Sequence, residues 1–324
     1  MATQLKKVVA PSGGDYTSLE ACMNANEQNL VTADKYFDVE IDGDWSGGAD
    51  TTAVSIHNYT TDATHYINIY TTAAARHAGY YDTTKYRLEV SSVNQAMSIT
   101  NPVVLKLTGL AVKNTNAASN ARALNFTTDL ASTVTTDKLI AIGTDGYAYR
   151  IWAYGGTHTI TNSVFINTET AEGAFTGLCN LNIYNCVIVH QGAGIGLQRQ
   201  SGTWTAKNCY AATVGSSAYS GTITKTTCAS DDNTGSVGLR NIAFDTASGA
   251  YFTNITGGSE NFHIGASSEL KDVGTDLSAN FTDDIDGQTR PTGAGTWDIG
   301  VDEYVASAGG AGKMTLKTGY WGDL

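Results

Sequence analysis

Proline is nearly missing from this chain, at three in 324 residues, and charge is thin, at 15% Asp, Glu, Lys and Arg against a usual ~25%. A backbone with so few prolines keeps almost every N–H free to donate, as the interior of a sheet requires. Thr, Ser, Asn and Gly take the place of the missing charge. That is not the charge-rich, aromatic-poor composition of a disordered chain. Positive charge is scarcest: 19 Lys and Arg face 31 Asp and Glu, for a net charge of −12, with no basic cluster. Neutralising phosphate needs grouped Lys and Arg, so no nucleic-acid partner is expected. No apolar run approaches the ~18 residues of a membrane span, so no membrane partner is expected either. The five cysteines (Cys22, Cys179, Cys186, Cys209, Cys228) are an odd count without a CxxC pair. They suggest neither a disulfide framework nor a zinc site and read as buried thiols. The first residues hold no hydrophobic core of a secretory leader, so synthesis in a cytoplasm without a Sec signal peptide is expected.

What is present begins with one helix signal. Thr17-Ser18-Leu19-Glu20 fits a capping box, with Leu19, Cys22, Met23 and Leu30 at helical spacing, which predicts a short helix over 17–29. After Ala33 the pattern changes to short strands. Val39-Glu40-Ile41, Val54-Ser55-Ile56, Ile67-Asn68-Ile69 and Tyr86 to Val90 alternate apolar and polar residues, separated by Gly, Asn, Asp and Thr.

The middle of the chain repeats itself. Thr161-Asn162-Ser163-Val164-Phe165-Ile166, Tyr184-Asn185-Cys186-Val187-Ile188-Val189, Lys207-Asn208-Cys209-Tyr210 and Thr226-Thr227-Cys228-Ala229 align, with the Asn column spaced by 23 and 23 residues. Leu107-Thr108-Gly109-Leu110 is an earlier member. A period of 19–23 residues carrying short strands is too short for a propeller blade, lacks a Leu ladder, and is too rich in Thr, Gly and Asn for helical solenoids. It fits one turn of a parallel β-helix, in which equivalent side chains stack ~4.8 Å apart. Asn162, Asn185 and Asn208 then read as an amide ladder at a turn. Ser163, Cys186, Cys209 and Cys228 read as an inward column.

On these repeats the sequence resembles the right-handed parallel β-helix proteins of the pectin-lyase-like superfamily. Val8 to Leu19 is similar to their N-terminal strand and capping helix. Asp284-Ile285-Asp286-Gly287-Gln288-Thr289-Arg290-Pro291, with Trp297-Asp298-Ile299-Gly300-Val301-Asp302-Glu303-Tyr304, is similar to a terminal motif that closes such domains. The resemblance implies an all-β, right-handed parallel β-helix (solenoid) with a short N-terminal capping helix. It further implies likeness to bacteriophage- and prophage-encoded virion surface proteins, namely spikes, fibres and decoration components.

The expected organisation is an N-terminal strand and helix over 1–38, a β-helix with its closing motif over 39–305, a Gly/Ala linker over 306–312 and an apolar arm over 313–324. About ten coils between residues 39 and 265 would make a rod near 50 Å long, with the closing motif covering the end opposite the helix. The arm carries Met314, Leu316, Tyr320 and Trp321 and is expected to dock on another subunit or virion protein.

Chemistry is harder to find. A glycosidase needs converging carboxylates, and Asp231-Asp232 is the nearest pair, read as a solvated turn. Asp283, Asp284 and Asp286 before Gly287 lack the spacing of a calcium loop and read as a structural turn. Asp298, Asp302 and Glu303 read as hydrogen-bond acceptors in the closing motif. The six histidines (His57, His65, His77, His158, His190, His263) show no HExxH, and His158 and His190 read as surface or turn residues. Gly192-Ala193-Gly194-Ile195-Gly196 is not followed by a helix pattern, so nucleotide binding is rejected. Tyr147, Tyr149, Trp152 and Tyr154 could form a sugar-stacking face, a subunit contact or part of the wall. No catalytic, metal or cofactor residue is assigned. The reading is a non-enzymatic virion surface or structural protein, with other virion proteins, itself or a host-surface glycan as partner. A polysaccharide-degrading spike and a carbohydrate-binding module without turnover stand as alternatives.

Overall fold

A computed structural model describes residues 1–101, 103–118, 120–127, 132–152, 155–168, 173–236, 251–292 and 297–306. The Gly/Ala linker beyond Ala306, the arm over 313–324 and Tyr154 lie outside the described residues. The chain winds through three parallel sheets. The long sheet has nine strands, starting with Thr3–Val9 and Lys35–Ile41 and ending with Trp204–Lys207 and Ile223–Thr226. The flank sheet has seven, from Leu88–Val90 to Ala229–Ser230, and the third sheet has seven, from Val54–Ile56 to Tyr219–Ser220. In one representative coil the strands are Asn180–Tyr184, Val187–His190 and Leu197–Arg199, and each pairs in register with its counterparts one coil away. This is a parallel β-helix, right-handed as parallel crossovers overwhelmingly are. Nine strands at ~4.8 Å make a stack of roughly 40 Å.

Inward residues build one continuous core. Ser163, Cys186, Cys209 and Cys228 are all buried in line, and each hydroxyl or thiol donates to the carbonyl two residues earlier, as in Ser163 Oγ to Thr161 O at 2.6 Å and Cys186 Sγ to Tyr184 O at 3.2 Å. All five cysteines are free and buried. Under the third sheet the rings of Tyr149 and Phe175 stack at 4.8 Å and 6°, with Phe126 5.3 Å from Tyr149.

The turn from long sheet to flank sheet holds one left-handed residue per coil. Gly109, Lys138, Asn162, Asn185, Asn208 and Thr227 have φ of 74°, 54°, 46°, 49°, 51° and 49°. Gly has no β-carbon to clash there, and Asn tolerates the conformation better than most residues, which explains the Asn column.

Three expectations change. The helix runs over Leu19–Ala25 rather than 17–29, with Ser18, not Thr17, as cap. Asn26 ends it by folding its amide onto Cys22 O at 2.8 Å, and Glu20 accepts from Ser55 N at 2.7 Å instead of reaching back to the cap. The described coils stop at Ser230, short of residue 265. The closing motif does not cover the far end. Residues 251–292 and 297–305 fold back as a strap over the outer surface of the flank sheet.

The strap explains a pattern in the repeats. In Val164-Phe165-Ile166 and Val187-Ile188-Val189 the middle residue faces the inner core, while its neighbours face outward against Phe252, Phe262, Ile264, Leu270, Ile285, Ile299 and Val301. Strands buried on both faces read as unbroken apolar runs. The prediction concerns the ladder. Asn185→Ala should cost about 2–4 kcal/mol, by orphaning buried strap carbonyls and by replacing Asn with a residue that tolerates the left-handed region less well. Asn185→Gly should cost about 1 kcal/mol less, because only the amide is lost. Urea unfolding of the two variants measures the difference.

Candidate functional site

The left-handed column carries the densest polar contacts with the strap. Lys138 Nζ pairs with Asp283. Asn185 Nδ2 donates to Asp298 O at 3.0 Å and Gly300 O at 3.1 Å. Asn208 Nδ2 donates to Asn185 Oδ1 at 3.1 Å and to Thr275 O at 2.7 Å, and its Oδ1 accepts from Thr275 N at 2.8 Å. Gly300 N donates to Asn208 O at 2.9 Å, so strap backbone meets coil backbone directly. Gly300 has φ +99°, and a β-carbon there would lie 3.3 Å from Val187 Cγ2, so this close approach needs glycine.

Arg290 is the hub of the closing motif. Its guanidinium is fully buried and donates to Glu303 Oε2 at 2.9 Å, Val301 O at 2.9 Å, Gly300 O at 3.2 Å and Asn162 Oδ1 at 3.3 Å. Burial pushes Glu303 up to about 7, against the pull of Arg290. Asp298 accepts from Asp272 N and Tyr304 N, both at 2.6 Å, and Asp302 accepts from Ile264 N at 2.8 Å. These carboxylates serve backbone donors of the strap, the role read from the sequence.

The acidic run around 284 divides its labour. Asp284 accepts from Gly287 N at 2.9 Å, Gln288 N at 2.8 Å and Glu303 N at 3.1 Å, so it is a structural turn residue. Asp286 turns toward His263 instead, 3.4 Å away, with Asp302 4.0 Å from the same ring nitrogen. Burial and the neighbouring Asp286 raise Asp284 well above the carboxylate range. Burial disfavours the His263 imidazolium, but Asp286 and Asp302 outweigh it and raise its pKa. One imidazole and two carboxylates converging within 4.8 Å are chemically able to hold a divalent cation. Sequence reading missed this group because its members lie 23 and 16 positions apart; only the folded strap unites them.

Asp231 and Asp232 are brought together, but not as a solvated turn. They lie, half-buried, at the last described coil of the stack, where they take backbone donors that a following strand would otherwise take. Asp231 Oδ2 accepts from Thr213 N and Asp232 Oδ2 from Ala218 N, both at 3.0 Å. Thr234 Oγ1 accepts from Tyr219 N at 3.1 Å and Ser236 Oγ from Cys228 N at 3.0 Å. Burial, opposed by the Thr213 N–H and reinforced by Asp232, pushes Asp231 up to about 6. Burial also opposes ionisation of Asp232, but hydrogen bonds from Thr234 and Ala218 outweigh it and hold that group low.

The remaining candidates disperse. His158 and His190 are buried, which corrects the surface reading. His158 packs edge-on against Phe126 at 4.7 Å, and burial lowers it to about 3. His190 Nδ1 accepts from Gly192 N at 3.0 Å and Gly194 N at 3.3 Å, so the glycine run is a turn held by that ring. Tyr149 points into the core, whereas Trp152 is 43% exposed with the Arg150 guanidinium 4.2 Å from its ring. The aromatic segment therefore presents no single face.

The geometry defines the class as a parallel β-helix with a strapped flank. No protein-family model matches the chain, and no curated protein matches it. Among solved structures, the deglycosylated form of pectin methylesterase from Aspergillus niger is similar over 70% of this chain and 86% of that one, at 9% identity and a TM-score of 0.34. A likeness so distant assigns no activity.

Two outcomes test this account. Arg290→Met leaves Glu303 buried without its cation and should cost about 3–5 kcal/mol in urea unfolding. For Asp231, the folded pKa lies above the unfolded one, so its contribution is full below about 4 and is lost as pH rises to about 6. Asp231→Asn keeps an acceptor for Thr213 N and should flatten that decline, leaving the variant at least as stable as the parent at neutral pH. Unfolding midpoints across this range provide the check.

Proposed function

We propose that the protein is a non-enzymatic structural or surface rod of a bacteriophage virion, held in its assembly through the C-terminal arm. The observation that carries the structural reading is the strap. It commits polar side chains of the flank turns, and the outer surface of six of the flank sheet's seven strands, to holding the rod together. Some strand N–H groups at both ends of the described stack are also met, by Glu20 accepting from Ser55 N at one and by Asp231 and Asp232 at the other. Capped edges disfavour end-to-end strand pairing, so the arm is preferred over the ends as the attachment. The last described residues lie on the flank of the rod, where Val305 is 56% exposed, and the Gly/Ala stretch and the apolar arm follow in the sequence. The phage setting rests on the resemblance of the sequence pattern.

Mass spectrometry of particles purified from the native source tests the reading. The chain should co-purify in fixed ratio with a capsid or tail protein. Removing residues 313–324 should leave the melting temperature unchanged and abolish incorporation. A chain absent from particles would sink the proposal. Trp152 with Arg150 stacked on it favours a second reading, glycan binding without turnover, because an exposed indole is a sugar-stacking surface. Glycan-array binding lost in Trp152→Ala would support it.

A further inference from the structure

We propose that His263, Asp286 and Asp302 form a site for one zinc-type divalent cation at the seam where three pieces of the strap meet. His263 lies on the strand Asn261–Ile264, Asp286 in the turn before Gly287, and Asp302 in the closing motif. Each is held by contacts of its own. Asn261 Oδ1 binds His263 Nδ1 and accepts from His263 N at 3.1 Å, which leaves Nε2 aimed at the carboxylates. Gln288 Nε2 donates to Asp286 Oδ2 at 3.1 Å, and Asp302 Oδ2 takes Ile264 N at 2.8 Å. An acceptor on the far ring nitrogen is how metal-binding imidazoles are oriented.

One oxygen is left over. Asp286 Oδ1 is shut off from solvent without a hydrogen-bond donor. Asp302 is 4% exposed, and its Oδ1 faces His263 Nε2 at 4.0 Å, too far for a hydrogen bond. A buried carboxylate oxygen without a donor, such as Asp286 Oδ1, is costly unless a cation satisfies it. Nε2 lies 3.4 Å from Asp286 and 4.0 Å from Asp302. Tetrahedral zinc spaces its donors about 3.3 Å apart, and the three ligand atoms here lie within 4.8 Å of one another, so the carboxylates draw in to complete the set. The imidazole favours zinc over calcium or magnesium, which take oxygen alone. His263 and Asp286 side chains are each 22% exposed, which leaves a route in and room for a water as fourth ligand. The ring also rests on Gly79, where a β-carbon would come within 2.5 Å of Cε1. The ion would tie residues far apart in sequence and so act as a staple on the strap. This inference is independent of where the rod is used.

The test takes the full-length, untagged chain, stripped with chelator and titrated with zinc chloride by calorimetry, with elemental analysis of the product. One zinc per chain should bind and raise the melting temperature. His263→Gln and Asp302→Asn should each weaken binding by roughly tenfold or more. His263→Gln keeps every backbone contact of the strap and decides the matter if Asp302→Asn fails to fold. No saturable zinc binding would overturn the site and leave a simple ion-pair triad. Zinc binding untouched by His263→Gln, or calcium bound in preference to zinc, would equally overturn it.

Discussion

One backbone conformation organises the flank of this rod: a left-handed residue between two strands, repeated in the same place from coil to coil. Such a residue turns the chain sharply and, when it is Asn, sets a side-chain amide at the corner where two sheets meet. A buried amide must find partners or cost its full desolvation. Here Asn185 and Asn208 bond to each other and to strap carbonyls, and Asn162 receives Arg290. The ladder is therefore a docking rail as much as a stack. The strap in turn covers apolar side chains that would otherwise leave an exposed hydrophobic sheet.

This changes how the solenoid holds together. In a plain repeat protein each coil touches only its neighbours, and stability is close to a sum of nearest-neighbour terms. The strap adds contacts that skip coils. Asp283 meets Lys138, Arg290 meets Asn162, Asp298 and Gly300 meet Asn185, and Thr275 meets Asn208. Four successive coils share one buried clamp, so fraying of one is resisted by the other three. Carboxylates and hydroxyls complete the task at the ends, where unpaired strand N–H groups would otherwise invite another chain.

Much of the fold was legible because a solenoid writes itself as a period. Asn162, Asn185 and Asn208 announced the turn, and Ser163, Cys186, Cys209 and Cys228 announced the inward column. The strap was not legible, since its contacts obey no period. Arg290 and Asn162 are distant in sequence, and no local pattern links them. One signal was available: Val164-Phe165-Ile166 and Val187-Ile188-Val189 are apolar at every position, where a sheet with one wet face would alternate. Likewise the doublet Asp231-Asp232 was read as a solvated turn. Only the position of Thr213 and Ala218 at the last coil shows why two acids belong there.

The position of the last described residues on the flank has a mechanical consequence. A solenoid pulled by its last coil can be unwound turn by turn, each coil giving way at low force. Here the described residues end at Ala306, three positions past Glu303, which pairs with the buried guanidinium of Arg290. Tension applied at that point is delivered sideways into the strap and shared among its contacts to several coils. The last described coil is bypassed, so a load applied there does not start to unravel the rod.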